Sequence, residues 1–267
     1  MENNHTQKSS PNAIPMAVVA AAAMISIAWI VNDRQVPKRD SLPVKEQSIK
    51  AVMLGGGSIL PLEIEEKLLD ELTAAGVIDS SKISRVTELN LLWAFGLANK
   101  NRILESGPMA EMRYGGPETM ASVGGWTVSN GPVMDHYSMH DFVRLTEDQQ
   151  MLVEKVAKGI YRPCCGNSTH FPDCNHGMAM LGLLELMASR GASEGDMWKA
   201  ALIASSSWFP DTYQTIAQYL KQNGIDWKNV DPEKILGQEY SSSFGYAKIS
   251  SQTIMPQSSK SASRCSI

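Results

Sequence analysis

The stretch MAMLGLLELM, residues 178–187, is apolar on nearly every face that a helix would present. Such a helix cannot lie on a surface; other elements must surround it, and the chain has to supply them. Pro61 opens a first candidate, with Glu63, Glu65 and Glu66 at the positive end of its dipole, Ile64, Leu68, Leu69 and Leu72 at helical spacing, and Gly76 as its stop. The spacing of Ile83, Val86, Leu89, Leu91, Leu92, Phe95 and Leu97 predicts a second helix, from Ser80 or Ser81 through about Asn99. Thr146 and Gln149 form a capping-box pattern ahead of Leu152, Val153, Val156 and Ala157, in a helix ending near Gly159. Further helices are expected from about Ser193 to Ser207, from Asp211 to about Asn223, and from the Asp231-Pro232 cap to Leu236. Alternating β-branched residues are nearly absent. The expected fold class is therefore all-α, an N-terminal single transmembrane helix followed by a compact multi-helix domain with one long Gly-rich loop.

Residues 13–31, AIPMAVVAAAAMISIAWIV, contain no charge. At about 1.5 Å of rise per residue they span roughly the 30 Å hydrocarbon core, so the expected partner is the lipid bilayer, crossed once. Trp29 sits near one end of the run, and Asn32, Asp33 and Arg34 stop it. The run is longer than a usual signal-peptide core, and no small-x-small site follows it before the charges. A polar head, residues 1–12, ahead of an apolar run is the common layout of an exported, N-anchored domain. That layout places the main domain outside the cytoplasm, although Arg34, Lys38, Arg39, Lys45 and Lys50 after the run favour the opposite side. Residues 32–59, with Pro37, Pro43 and Gly55-Gly56-Gly57, read as a tether to a helical domain over 60–240. From 241 to 267, ten of 27 residues are serine, and a disordered tail is expected. Gly and Pro crowd between Ser106 and Pro132, the composition of an ordered functional loop or a cover. With 24 Lys plus Arg against 28 Asp plus Glu, the chain has no basic excess to meet phosphates, and nucleic acid is not an expected partner.

The segment YRPCCGNSTHFPDCNHG, from Tyr161 to Gly177, gathers Cys164, Cys165, His170, Asp173, Cys174 and His176. Thiolates and imidazoles are the donors that Zn and Cu select, so a transition metal is the expected cofactor. Neighbouring cysteines seldom both fit one tetrahedron; the expected ligands are one of Cys164 and Cys165, with Cys174 and one or two histidines. Upstream, in MDHYSMHDF, His136 and His140 stand four apart and would share a face of a helix, where two imidazoles can chelate, so both are further candidate metal ligands, with the thioethers of Met134 and Met139 beside them. Asp135, Asp141 and Asp173 are candidates to orient imidazoles from behind.

Three functions fit these residues. The leading one is a membrane-anchored metal-binding protein in trafficking or redox work. An enzyme would instead use Cys174 as nucleophile, since free amides and the dipole at a helix start stabilise a thiolate, with His136 or His140 as base and Asp135 or Asp141 as its orienter. In the third, the cysteines staple a loop of a structural or interaction module through a disulfide.

Overall fold

Side-chain caps set where most of the helices begin. The computed structural model describes residues 59–126 and 128–254; all its regular elements are helical, and the only strand-like features among the described residues are two isolated bridges, Asn99 with His140 and Tyr161 with Ser168. Helix α1, Leu62–Ala74, follows Pro61 and buries Leu68 and Leu72. The single helix expected from Ser80 to Asn99 is divided in two. Asp79 caps a 3-10 turn over Ser80–Arg85, and Thr87 with Asn90 forms a reciprocal box that starts α2, Glu88–Ala98. The apolar spacing runs on through Val86, but a second cap at Thr87 restarts the backbone, so local hydrogen bonding overrides periodicity there.

After the short helices α3 (Arg102–Ser106) and α4 (Ala121–Gly124) come three long ones. These are α5 (Glu147–Gly159), which begins with the reciprocal Thr146 and Gln149 box, α6 (Asn175–Ser189), and α7 (Glu194–Trp208), which begins with a box from Ser193 and Asp196. The chain continues through α8 (Pro210–Gln222), α9 (Pro232–Leu236), α10 (Gln238–Ser241) and α11 (Ser243–Gln252). The last of these corrects the expectation of a disordered tail from 241. Ser242 accepts a hydrogen bond from Gly245 N at 2.9 Å and so caps α11, and Ser241 Oγ donates to Ile235 O at 2.7 Å. These serines therefore terminate and link helices.

Helix α6 is central, with every residue from Gly177 to Leu186 buried. Its most extensive partner is α2, and α5 and α7 also pack against it. The α2–α6 crossing is a glycine-to-glycine contact. A Cβ on Gly182 would stand 3.0 Å from Gly96 N and run into the Leu92 carbonyl, and a Cβ on Gly96 would stand 2.8 Å from Gly182 N. Glu185, the one charged residue in α6, is fully buried. Asn99 Nδ2 donates to its Oε2 at 3.2 Å and Asn101 Nδ2 donates to its Oε1, while Asn101 Oδ1 accepts from Ile103 N and from Gln150 Nε2. Burial without a counter-charge pushes the Glu185 carboxyl well above its ordinary value, so the acid stays protonated where an exposed glutamate ionises.

The Gly-rich segment is ordered as a chain of short turns tied to the core. Trp93 Nε1 donates to Ser122 O at 2.6 Å, Trp126 Nε1 donates to Val77 O at 3.3 Å, and Ser122 N donates to Asp173 O at 3.0 Å. No helix among the described residues is long and apolar enough to cross a membrane. The run expected to do so, residues 13–31, lies outside the described residues, as do the polar head, nearly all of the tether and the final residues 255–267 with Cys265.

Candidate metal centre

Between α5 and α6 the chain doubles back on itself. Tyr161 pairs with Ser168, Thr169 N donates to Ile160 O at 2.8 Å, and Tyr161 N donates to Leu236 O at 2.8 Å, so both arms of the turn are fixed to helical ends. The tip carries Cys164 and Cys165. Cys165 N donates to Arg162 O at 3.3 Å, and Ser243 N, at the start of α11, donates to Cys165 O at 2.9 Å. The returning arm ends at Cys174, which is the N-cap of α6 with φ −126° and ψ 165° and makes no side-chain cap bond. Its thiol faces the tip instead. The three Sγ atoms of Cys164, Cys165 and Cys174 all lie within 4.8 Å of one another, with Cys164 and Cys174 3.8 Å apart. Both members of the adjacent pair therefore reach the third sulfur, where only one was expected to, because the turn at Arg162–Cys165 carries the two side chains to the Cys174 side. All three thiols are free; the 3.8 Å separation is nearly twice a disulfide bond of about 2.05 Å.

Beneath the sulfurs lies Arg162, 3% exposed. Its Nη2 donates to Asp173 Oδ1 at 2.6 Å, to Phe171 O at 3.0 Å and to Cys165 Sγ at 3.4 Å, and its Nη1 donates to Ser168 O at 2.9 Å. The guanidinium is thus fastened to four points of the turn. Cys165 is the thiol whose pKa falls, because Cys164 and Cys174 donate to its sulfur and Arg162 adds positive charge. Cys164 moves up as the donor to Cys165 and Cys174. For Cys174 the bond from Cys164 pulls down, but donation to Cys165 and burial outweigh it and the net direction is up. The surroundings therefore favour the ionised form at Cys165 over Cys164 and Cys174.

No histidine or carboxylate among the described residues joins the three sulfurs within 4.8 Å. His176 lies in the first turn of α6 with its ring 4.4 Å from Phe209 and 5.9 Å from Trp208. Burial, then Arg162, pushes it down to about 4, so its imidazole is neutral. His170 is tied by its own N to Ala157 O at 3.1 Å, at the end of α5; burial lowers its pKa, and Lys158 and Glu154 are the charges that act on it. His136 and His140 do meet, Nδ1 to Nε2 at 3.0 Å, but with each other. They do so without a helix: Val133–Asp135 is a 3-10 turn and Ser138 has φ 54°, so a bend rather than a shared helical face brings the rings together. His140 also stacks on Phe142 at 5.1 Å. Of the carboxylates, Asp173 holds Arg162 and accepts from Asn167 Nδ2 at 2.8 Å, Asp141 is exposed and pairs with Arg144 at 2.7 Å, and Asp135 is exposed.

Arg162 and Glu185 are the two residues that reading the sequence overlooked. A glycine in the first turn of α6 was the available signal for the first. A Cβ on Gly177 would overlap the guanidinium, 2.6 Å from Arg162 Cζ, and a glycine opens that space.

The fold and the site define a helical domain with a three-cysteine centre of the kind that could hold a metal ion. Comparison with protein-family models, with curated proteins and with solved structures finds no match to this chain.

Proposed function

We propose that this is a metal-binding protein, anchored in a lipid bilayer by residues 13–31 with its helical domain outside the cytoplasm, whose centre holds a transition metal, Zn or Cu, between Cys164, Cys165 and Cys174. The observation that carries the reading is the mutual approach of three sulfurs from two elements, one pair at 3.8 Å. Metal–sulfur bonds of about 2.3 Å place the thiolates of a tetrahedral site about 3.8 Å apart, the separation at which Cys164 and Cys174 already stand. Arg162 offsets part of the negative charge that three thiolates accumulate, and its four bonds hold the turn in shape. Cys164 is exposed, which gives an ion a way in and out and suits a trafficking role better than a sealed structural one. The enzyme reading draws less support, since His136 and His140 bond each other and the Cys174 thiol moves up rather than down.

The test is elemental analysis of the purified full chain. About one equivalent of Zn or Cu, lost in Cys165→Ser and in Cys174→Ser variants of unchanged helicity, is the expected result. A metal-free protein with a quantitative Cys164 to Cys174 disulfide would make the cluster a staple and overturn the reading.

A further inference from the structure

We infer that the centre selects a soft, monovalent, low-coordinate ion, Cu(I), over Zn(II); the inference rests on the metal-binding reading above. It stands on the number of donors and on the buried charge beside them. Zn(II) in structural protein sites is almost always four-coordinate, so a site built to retain it supplies four donors, whereas Cu(I) is satisfied by three thiolates. Three sulfurs converge here, and no histidine or carboxylate among the described residues joins them within 4.8 Å. Both oxygens of Asp173 are taken, Oδ1 by Arg162 and Oδ2 by Asn167. The His176 ring is packed against Phe209 and Trp208, and His170 belongs to the end of α5.

Charge points the same way. Arg162 Nη2 is 3.4 Å from Cys165 Sγ, so an ion bonded to that sulfur sits beside a fixed guanidinium. Repulsion between the two scales with the charge of the ion and is twice as strong for a divalent one. Equivalently, three thiolates with a monovalent ion carry two net negative charges and with a divalent ion one, and the guanidinium stabilises the more negative complex. Arg162 cannot swing away to relieve the repulsion, because it is buried and held by Ser168, Phe171 and Asp173. It acts as a positioning residue whose charge sets which ion the sulfurs prefer.

The experiment is a competition on the full chain in detergent, under anaerobic reducing conditions. Cu(I) is supplied from a chromophoric chelator in the presence of Zn(II) at about a hundredfold excess. The expected result is one equivalent of Cu(I) taken from the chelator without interference from zinc, an ultraviolet Cu(I)–thiolate band, and loss of both in Cys165→Ser. An Arg162→Gln variant is expected to shift the Cu(I) to Zn(II) affinity ratio toward zinc by about tenfold, a ratio that compares two ions on the same protein and is insensitive to a general loss of stability. Zinc displacing Cu(I), or matching it by recruiting a fourth ligand from solution, would overturn the selectivity and leave the metal-binding reading standing. Binding of neither ion would overturn both.

Discussion

Arg162 fills the space in which a side chain at Gly177 would stand. A Cβ there would lie 2.6 Å from Arg162 Cζ and 3.1 Å from its Nε, so the first turn of α6 is open on the side where the guanidinium is buried. In Gly177→Ala the guanidinium must give up part of its bonding to Ser168, Phe171, Asp173 and Cys165. A loss of about 2–4 kcal/mol is expected, from overpacking together with a disturbed buried ion pair, and urea unfolding measures it. Metal affinity should fall with it. Wild-type stability in this variant would mean that Arg162 is not confined as described.

The glycine contact between α2 and α6 makes a second, separable prediction. A methyl group on Gly182 meets backbone atoms of Leu92 and Gly96, which cannot rotate out of the way as a side chain can. Gly182→Ala is therefore expected to cost about 3 kcal/mol or more, or to prevent folding, as followed by circular dichroism and thermal melting. A melting temperature within error of wild type would contradict the crossing geometry.

Glu185 gives the folded chain a pH dependence of definite sign. Its carboxyl titrates well above 4.5 in the fold and near that value in the unfolded chain, so between the two the folded state holds a proton that the unfolded state has released. Stability then falls as pH rises from about 4.5 toward the raised folded value, and is fully present below that window. Glu185→Gln removes the titrating group and is expected to flatten the profile of unfolding free energy, while losing one of the bonds from Asn99 and Asn101 at every pH. Equal pH slopes in the two proteins would show that Glu185 is not the titrating group.

How far these features can be read in the sequence depends on how local their causes are. The box of Thr146 and Gln149 is written within four residues and starts α5 as expected. The long helix from Ser80 failed because Thr87, equally local, is a cap embedded in an apolar pattern that conceals it. Serines 241 to 243 were read as disorder from their abundance, yet Ser241 bonds Ile235 O and Tyr213 Oη, and Ser242 caps α11. Composition therefore misled where position decided. The cysteines declared a centre by crowding, but which donors share it is a property of the turn, and the same crowding suggested histidines that the fold sends to α5, to Phe209 and to each other. Glu185 stayed hidden because its burial is decided by distant partners, Asn99 lying 86 residues away; the bonds of Arg162 all fall within 11 residues, but they form only once the turn folds back on itself.

The C-terminal helix, the element most misjudged from sequence, should matter to the centre. Ser243 N donates to Cys165 O, and Ser242 supports that contact by capping α11 and by donating to Gln238 O at 2.6 Å. Ser242→Ala is expected to cost about 1 kcal/mol in unfolding free energy, the usual worth of such a cap, and to weaken metal binding measurably in a chelator titration. An unchanged affinity would separate α11 from the centre.

The most direct test of the convergence of Cys164, Cys165 and Cys174 on one ion is X-ray absorption at the metal edge of the loaded full chain. Three sulfur neighbours at about 2.3 Å are expected. A shell of nitrogen and oxygen neighbours, or fewer than three sulfurs, would contradict it.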